Sequence, residues 1–156
     1  MKRKEIPARD GLLEIIKYIK SDAIAKEIHR SNGFISSRMN HRKMSGKLTC
    51  YNFSQDTIDL LNAALVALST KISMLHLPEH KGNEENFASV MNSVLMYVQP
   101  SHLWVKLGYT DKRRWHERVS PNDKRYSFKP EEIDTMNKAL KDISRKLALI
   151  FLVYQE

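Results

Sequence analysis

The chain has 156 residues and a formal charge of +8, a length that fits one compact domain or two very small ones. Apolar residues make up 42% of it, enough for a core, but no apolar run approaches the roughly 20 residues that a membrane span needs. Cys50 is the single cysteine, which excludes an internal disulfide framework and a zinc centre built of several thiolates.

The basic start, "MKRKEIPARD", runs into a charged, periodic segment and not into an uninterrupted apolar stretch. No secretory leader is therefore expected, and a reducing cytoplasm is the expected compartment. From there the apolar spacing predicts helices with few interruptions, and no sustained alternation argues for strands. The first helix is expected from Asp10 to Lys20 and a short second from Asp22 to His29. After the turn "RSN" a third runs from about Gly33 to Asn40, and a long fourth from Gln55 to Leu75. The stretch "HLPEHKGNEEN" carries proline, glycine and adjacent acids, a linker composition. Four more helices follow in the same order: Phe87 to Gln99, Ser101 to Leu107, Asp111 to Ser120 beyond the turn "GYT", and Pro130 to Tyr154.

The order recurs because the sequence does. "YNFSQDTIDLLNAALVALSTKI" aligns without gaps on "YSFKPEEIDTMNKALKDISRKL", with 9 identities in 22 positions, among them Phe53/Phe128, Asn62/Asn137 and Ser69/Ser144. Upstream, Leu12 to Ile28 lies on Met91 to Leu107 and pairs Tyr18 with Tyr97. Asn32 to Asn40 lies on Lys112 to Ser120 and pairs Ile35 with Trp115, Arg38 with Arg118 and Met39 with Val119. The expected organisation is a repeat over 11–75, a linker over 76–86 and a second repeat over 87–154. Ser54 is placed to cap the first long helix, and Pro130, Glu131 and Glu132 suit the first turn of the second. Apolar residues at 3–4 spacing along both long helices are expected either to line a core within each repeat or to pack the two helices on each other about a pseudo-twofold.

A short helix, a tight turn and a second short helix form the arrangement that lets a helix enter the major groove. In "TDKRRWHERV", Trp115 and Val119 stand one helical turn apart and are expected to point inward, which leaves Arg113, Arg114, His116, Glu117 and Arg118 to cover the other faces, with Lys112 beside them as a further DNA-binding candidate. Guanidinium groups so placed can grip guanine edges or phosphates. The matching surface of the first repeat offers Ser36, Ser37, Arg38 and Asn40. The loops that follow are basic as well, with Arg42, Lys43 and Lys47 around a Ser45-Gly46 turn, then Lys124 and Arg125, and loops of this kind beside a recognition helix touch phosphates.

Enzymatic constellations are absent from the pattern. His76 and His80 have a ligand-like spacing, but Pro78 lies between them. No glycine-rich phosphate loop occurs, and no nucleophile motif surrounds a serine or Cys50. Neither catalysis, a metal nor a cofactor is expected.

The run of helix-turn-helix, Trp115, Arg118 and Val119, a polar loop, then Tyr126, Phe128, Glu131, Glu132 and Ile133 resembles small, uncharacterised tandem helix-turn-helix-like proteins of bacterial mobile elements and phages. The likeness covers nearly the whole chain, with Ile35 in place of the tryptophan and a longer loop in the first repeat. It implies a DNA-binding, regulatory or accessory role. The expected fold is thus all-α: two tandem helix-turn-helix-like units of four helices, each ending in a long helix. The expected partner is double-stranded DNA, with a protein partner or a homodimer as a further expectation and no membrane. A protein-interaction module, with the cations serving solubility or an acidic surface, is the alternative.

Overall fold

The structure, a computed structural model, describes residues 3–39, 42–44, 47–49, 53–79, 81–120, 125–126 and 128–154. The chain is mostly helical, with eight helices and six short strands among these residues. A strand β1 (Lys4–Pro7) leads into α1 (Ala8–Ile15), α2 (Ser21–Glu27) and α3 (Phe34–Met39). An antiparallel hairpin, β2 (Arg42–Met44) and β3 (Lys47–Thr49), precedes the long α4 (Gln55–Ser73). The order then repeats with α5 (Glu84–Tyr97), α6 (Pro100–Lys106), α7 (Lys112–Arg118), the hairpin β4 (Val119–Ser120) with β5 (Arg125–Tyr126), and α8 (Pro130–Leu149).

The long helices pack on each other and run antiparallel, and their polar contacts are reciprocal. Ser69 Oγ donates to the Ser144 carbonyl at 2.7 Å, and Ser144 Oγ donates to the Ser69 carbonyl at 2.8 Å. Seven residues back along α4, Asn62 accepts from Leu152 N at 2.8 Å and donates to Leu152 O at 2.9 Å. Its counterpart on α8, Asn137, takes Leu77 N at 2.8 Å and Leu77 O at 3.0 Å in the same way. A second reciprocal contact joins the ends of α1 and α5: Lys20 N donates to Tyr97 O at 2.8 Å and Gln99 N to Tyr18 O at 2.9 Å, with Ile19 bridged antiparallel to Val98. The residues paired by the internal alignment are the ones that exchange places across this seam, as in an isologous interface.

Around these polar pins a single apolar core runs through both halves. It takes Ile58, Leu61, Leu65, Leu68 and Ile72 from α4 and Ile133, Met136, Leu140, Ile143 and Leu147 from α8. Both expected packings of the long helices are therefore met by one stripe, which faces its own half and the other. Ser54 caps α4 by accepting from Thr57 N at 3.3 Å, and Pro130 occupies the first turn of α8.

Three local expectations are corrected. The last helix ends at Leu149, and Ile150–Val153 forms β6, paired in parallel with β1. The run "IFLV" is β-branched and aromatic, and Asn62 occupies the Leu152 peptide groups that a helix would need. The equivalent stretch in the first half ends its helix at Ser73, turns at Met74 and forms no strand through Leu77, where Asn137 holds it and Pro78 lacks the N–H of a ladder residue. Leu77, expected in a linker, is thus 1% exposed and part of the core. Finally, α1 is one turn shorter than its apolar spacing suggests, ending at Ile15 before a turn that delivers Ile19 to the seam. Gly11 lets α1 lie against β6, since a Cβ there would collide with Leu152 Cδ2.

Asn137 is buried and Asn62 half-buried, so their removal should differ in cost. Asn137→Ala strands a buried N–H and a buried C=O and is expected to lower unfolding free energy by about 2–4 kcal/mol, more than Asn62→Ala, in urea titrations followed by far-UV circular dichroism.

Candidate nucleic-acid interface

The site is best built from the turns that aim α3 and α7. Each preceding helix ends in the same left-handed C-terminal motif. Arg30 N donates to Ala25 O at 2.8 Å and His29 N to Lys26 O at 3.1 Å; in the second half Tyr109 N donates to Trp104 O at 2.9 Å and Gly108 N to Val105 O at 3.0 Å. The left-handed residue is Gly108 at φ 81° in one half and His29 at φ 58° in the other, the position at which glycine carries no Cβ penalty. Both turns bring an apolar pair inward. Trp115 and Val119 are buried, with the Trp115 ring centroid 5.6 Å from that of Phe128. Ile35 and Met39 are buried in the first half, where Arg9 Nη2 on α1 donates to the Met39 carbonyl at 2.9 Å and fixes the end of α3.

Asp111 caps α7 by accepting from Arg114 N at 3.3 Å. The outward residues then divide into two groups. Lys112, Arg113, Arg114 and His116 are exposed, and Arg114 lies over the Tyr109 ring, 4.8 Å from its centroid, an arrangement that holds the guanidinium without hiding it. Arg118, expected with them, is corrected to an internal role. Its Nη1 donates to Glu132 Oε1 at 3.0 Å, and its side chain is only 21% exposed. Glu132 Oε1 also accepts from Lys129 N at 3.0 Å, and its Oε2 accepts a short bond from the Tyr109 hydroxyl. One carboxylate thereby ties the turn before α7, the end of α7 and the start of α8 together.

The electrostatics of that hub follow its contacts. Burial pushes the Glu132 carboxyl up, but the Tyr109 hydroxyl, the Lys129 N–H and the Arg118 guanidinium together outweigh burial and hold it below the ordinary carboxyl value. Tyr109 is pushed up to about 12, by burial first and by the bond to Glu132 second.

In the first half Ser36 is exposed, and Ser37 is half-buried with its hydroxyl donating to Phe34 O at 3.2 Å. Arg38 is half-buried and lies 4.6 Å from the centroid of the Phe34 ring, with Arg30 on the same ring at 5.5 Å. The position equivalent to Glu132 is Thr57, which bonds Ser54 instead. Arg42 and Lys43 stand on β2, Lys47 on β3 and Arg125 on β5. Asn40, Lys124, the Ser45-Gly46 turn, Cys50 and His80 lie outside the described residues. Sequence reasoning missed Tyr109, Glu132, Arg9 and His29 as the residues that position the helices. The available signal was Glu132 three residues after Lys129 at a proline-marked helix start, the spacing of a carboxylate that reaches back to a cap N–H.

Among the described residues no three His, Cys, Asp or Glu side chains gather as around a metal ion, and no helix is long and apolar enough to cross a membrane. Comparison of the chain with protein-family models, with curated proteins and with solved structures finds no match.

Two predictions follow from the geometry of this region. Gly108→Ala has open space for the methyl group but the wrong backbone angle, and should cost about 1 kcal/mol; His29→Gly relieves the same strain and should gain about 0.5–1 kcal/mol, both read in thermal melts. Because the folded Glu132 carboxyl lies below its ordinary value of 4.5, its contribution is complete above that value and is lost as pH falls through the folded one. A Glu132→Gln variant is expected to be less stable at neutral pH and to lose part of the wild-type decline in stability below pH 4.5, in denaturant titrations across that range.

Proposed function

We propose that the chain is a non-enzymatic double-stranded DNA-binding protein, a regulatory or accessory factor made of two tandem helix-turn-helix-like units with hairpins as wings. The observation that carries this reading is α7. Its apolar pair is sunk in the core, its approach is fixed by the left-handed turn and by Glu132, and its exposed surface carries Lys112, Arg113, Arg114 and His116 beside the acid Glu117. A rigidly aimed short helix with cations outward suits insertion in a groove, where Arg and Lys reach guanine edges or phosphates. The net charge of +8 adds long-range attraction for a polyanion.

The two hairpins stand next in the chain after α3 and α7, and their strands carry Arg42, Lys43, Lys47 and Arg125. Backbone contacts from such wings would hold the register while the helix reads. Arg118 is left out of the interface in this reading, because pulling it out would take the guanidinium partner from a largely enclosed Glu132 carboxylate.

The test is a titration of mixed-sequence duplex DNA, followed by fluorescence anisotropy at two salt concentrations. Wild type should bind with a steep salt dependence, and Lys112→Ala/Arg113→Ala should weaken binding and flatten the log-log slope by about 0.9 for each phosphate contact removed. Unchanged affinity and slope in that variant would remove α7 from the interface. Failure to bind duplex at low salt, with capture of a protein partner instead, would favour the interaction-module alternative.

A further inference from the structure

The seam and the hub together set a distance. One rotation exchanges Ser69 with Ser144, Asn62 with Asn137, Leu77 with Leu152 and Ile19 with Val98, so its axis passes between the two serines and through the Ile19–Val98 bridge. α8 runs from Pro130 to Leu149, roughly at right angles to such an axis, and Glu132 lies twelve residues before Ser144. At about 1.5 Å per residue, Glu132 stands about 18 Å from the axis. Glu132 holds Arg118 at the end of α7 and Tyr109 in the turn before it, so, measured along α8, α7 is anchored about 18 Å from the axis. The matching point on α4 is Thr57, twelve residues before Ser69, and the rotation sets α3 as far out on the other side.

The separation is then about 36 Å, against the roughly 34–36 Å between successive major grooves on one face of B-form DNA. A twofold rotation also keeps both helices at one height along its axis and reverses their direction, which is the relation between two half-sites about a dyad of the duplex. We propose that one copy of this chain spans two successive major grooves of a single duplex. It would do so as an internal dimer whose half-sites are inverted and unequal. One half-site faces the cations of α7, the other the Ser36 and Arg38 surface of α3. This rests on the DNA-binding reading and goes beyond it in fixing valency, spacing and site symmetry. Because both readers share one core, engaging the first groove presents the second half to its groove at high effective concentration.

The experiment uses the full chain and mixed-sequence duplexes of about 10, 16 and 22 base pairs, the shortest offering one groove and the longer ones two. Affinity is measured at several salt concentrations and stoichiometry by sedimentation. The expected result is one chain per 22-base-pair duplex, binding at least on the order of tenfold tighter than to the shortest and with a steeper salt slope. Ser36→Glu/Arg38→Glu should abolish the gain on long duplexes and leave binding to the shortest unchanged, which separates a second groove from the end effects of short DNA. An undiminished gain in that variant, two duplexes bridged by one chain, or two chains on one 22-base-pair duplex would each overturn the proposal and leave duplex binding standing. No binding to any duplex at low salt would overturn both.

Discussion

The fold depends on the serine exchange where the long helices meet. Ser69 and Ser144 are small enough for the helices to approach closely, and each spends its hydroxyl on the other's carbonyl. Seven residues away on the same face, each asparagine clamps both peptide groups of one leucine from the opposite half. A slip by one residue would bury donors and acceptors without partners, each at a cost of about 1–3 kcal/mol. The apolar stripe alone would tolerate neighbouring registers, since leucine and isoleucine pack without direction. The polar pins choose among them, and every position further out along α4 and α8 inherits that choice.

On this shared frame the two halves solve the same local problem with different chemistry. Both must hold a short helix at a fixed angle after a left-handed turn. The second half uses a tryptophan peg, a glycine and a half-buried carboxylate that gathers Tyr109, Lys129 and Arg118. The first uses an isoleucine peg, a strained histidine, Arg9 on the last carbonyl of α3, and two arginines stacked on Phe34. An ion pair as enclosed as Arg118 with Glu132 sets geometry more than it adds net stability, because much of its attraction offsets lost solvation. Its effect is to subtract one cation from the outer surface of α7 and to aim the rest.

The long helices, the order of elements and the inward pegs were legible in the sequence because each is written at a period that a single chain displays. Trp115 with Val119 and Ile35 with Met39 are i, i+4 pairs, and the repeat puts two copies of each signal side by side. The strands were not legible. Runs of two to four residues, as in β4 and β6, are too short for an alternation, and β1 meets β6 across almost the whole length of the chain. The fate of Arg118 was hidden for a related reason. Its partner sits fourteen residues on, in another helix, and only the fold brings them together. Periodicity says which face a side chain occupies and is silent on what waits there.

Fusion of two like halves into one chain also frees positions that a true dimer would have to use twice. In a symmetric dimer one residue type must suit both sides of the axis. Here His102 packs its ring against Tyr18 across the seam, with centroids 5.7 Å apart, whereas the equivalent residue, Ala23, is small and helps to line a cavity of about 250 Å³ with Glu27, Lys71 and Tyr97. Lys71 reaches Glu27 at 2.8 Å between α4 and α2, while its counterpart Lys146 turns along its own helix to Asp142 at 3.1 Å and over the Tyr18 ring. None of these differences disturbs the serine and asparagine pins, which need only their own atoms and the backbone. Strict reciprocity at the pins is therefore compatible with unequal surfaces at the rim. A pseudo-symmetric frame of this kind can keep two short helices in fixed relation while letting each present a different surface.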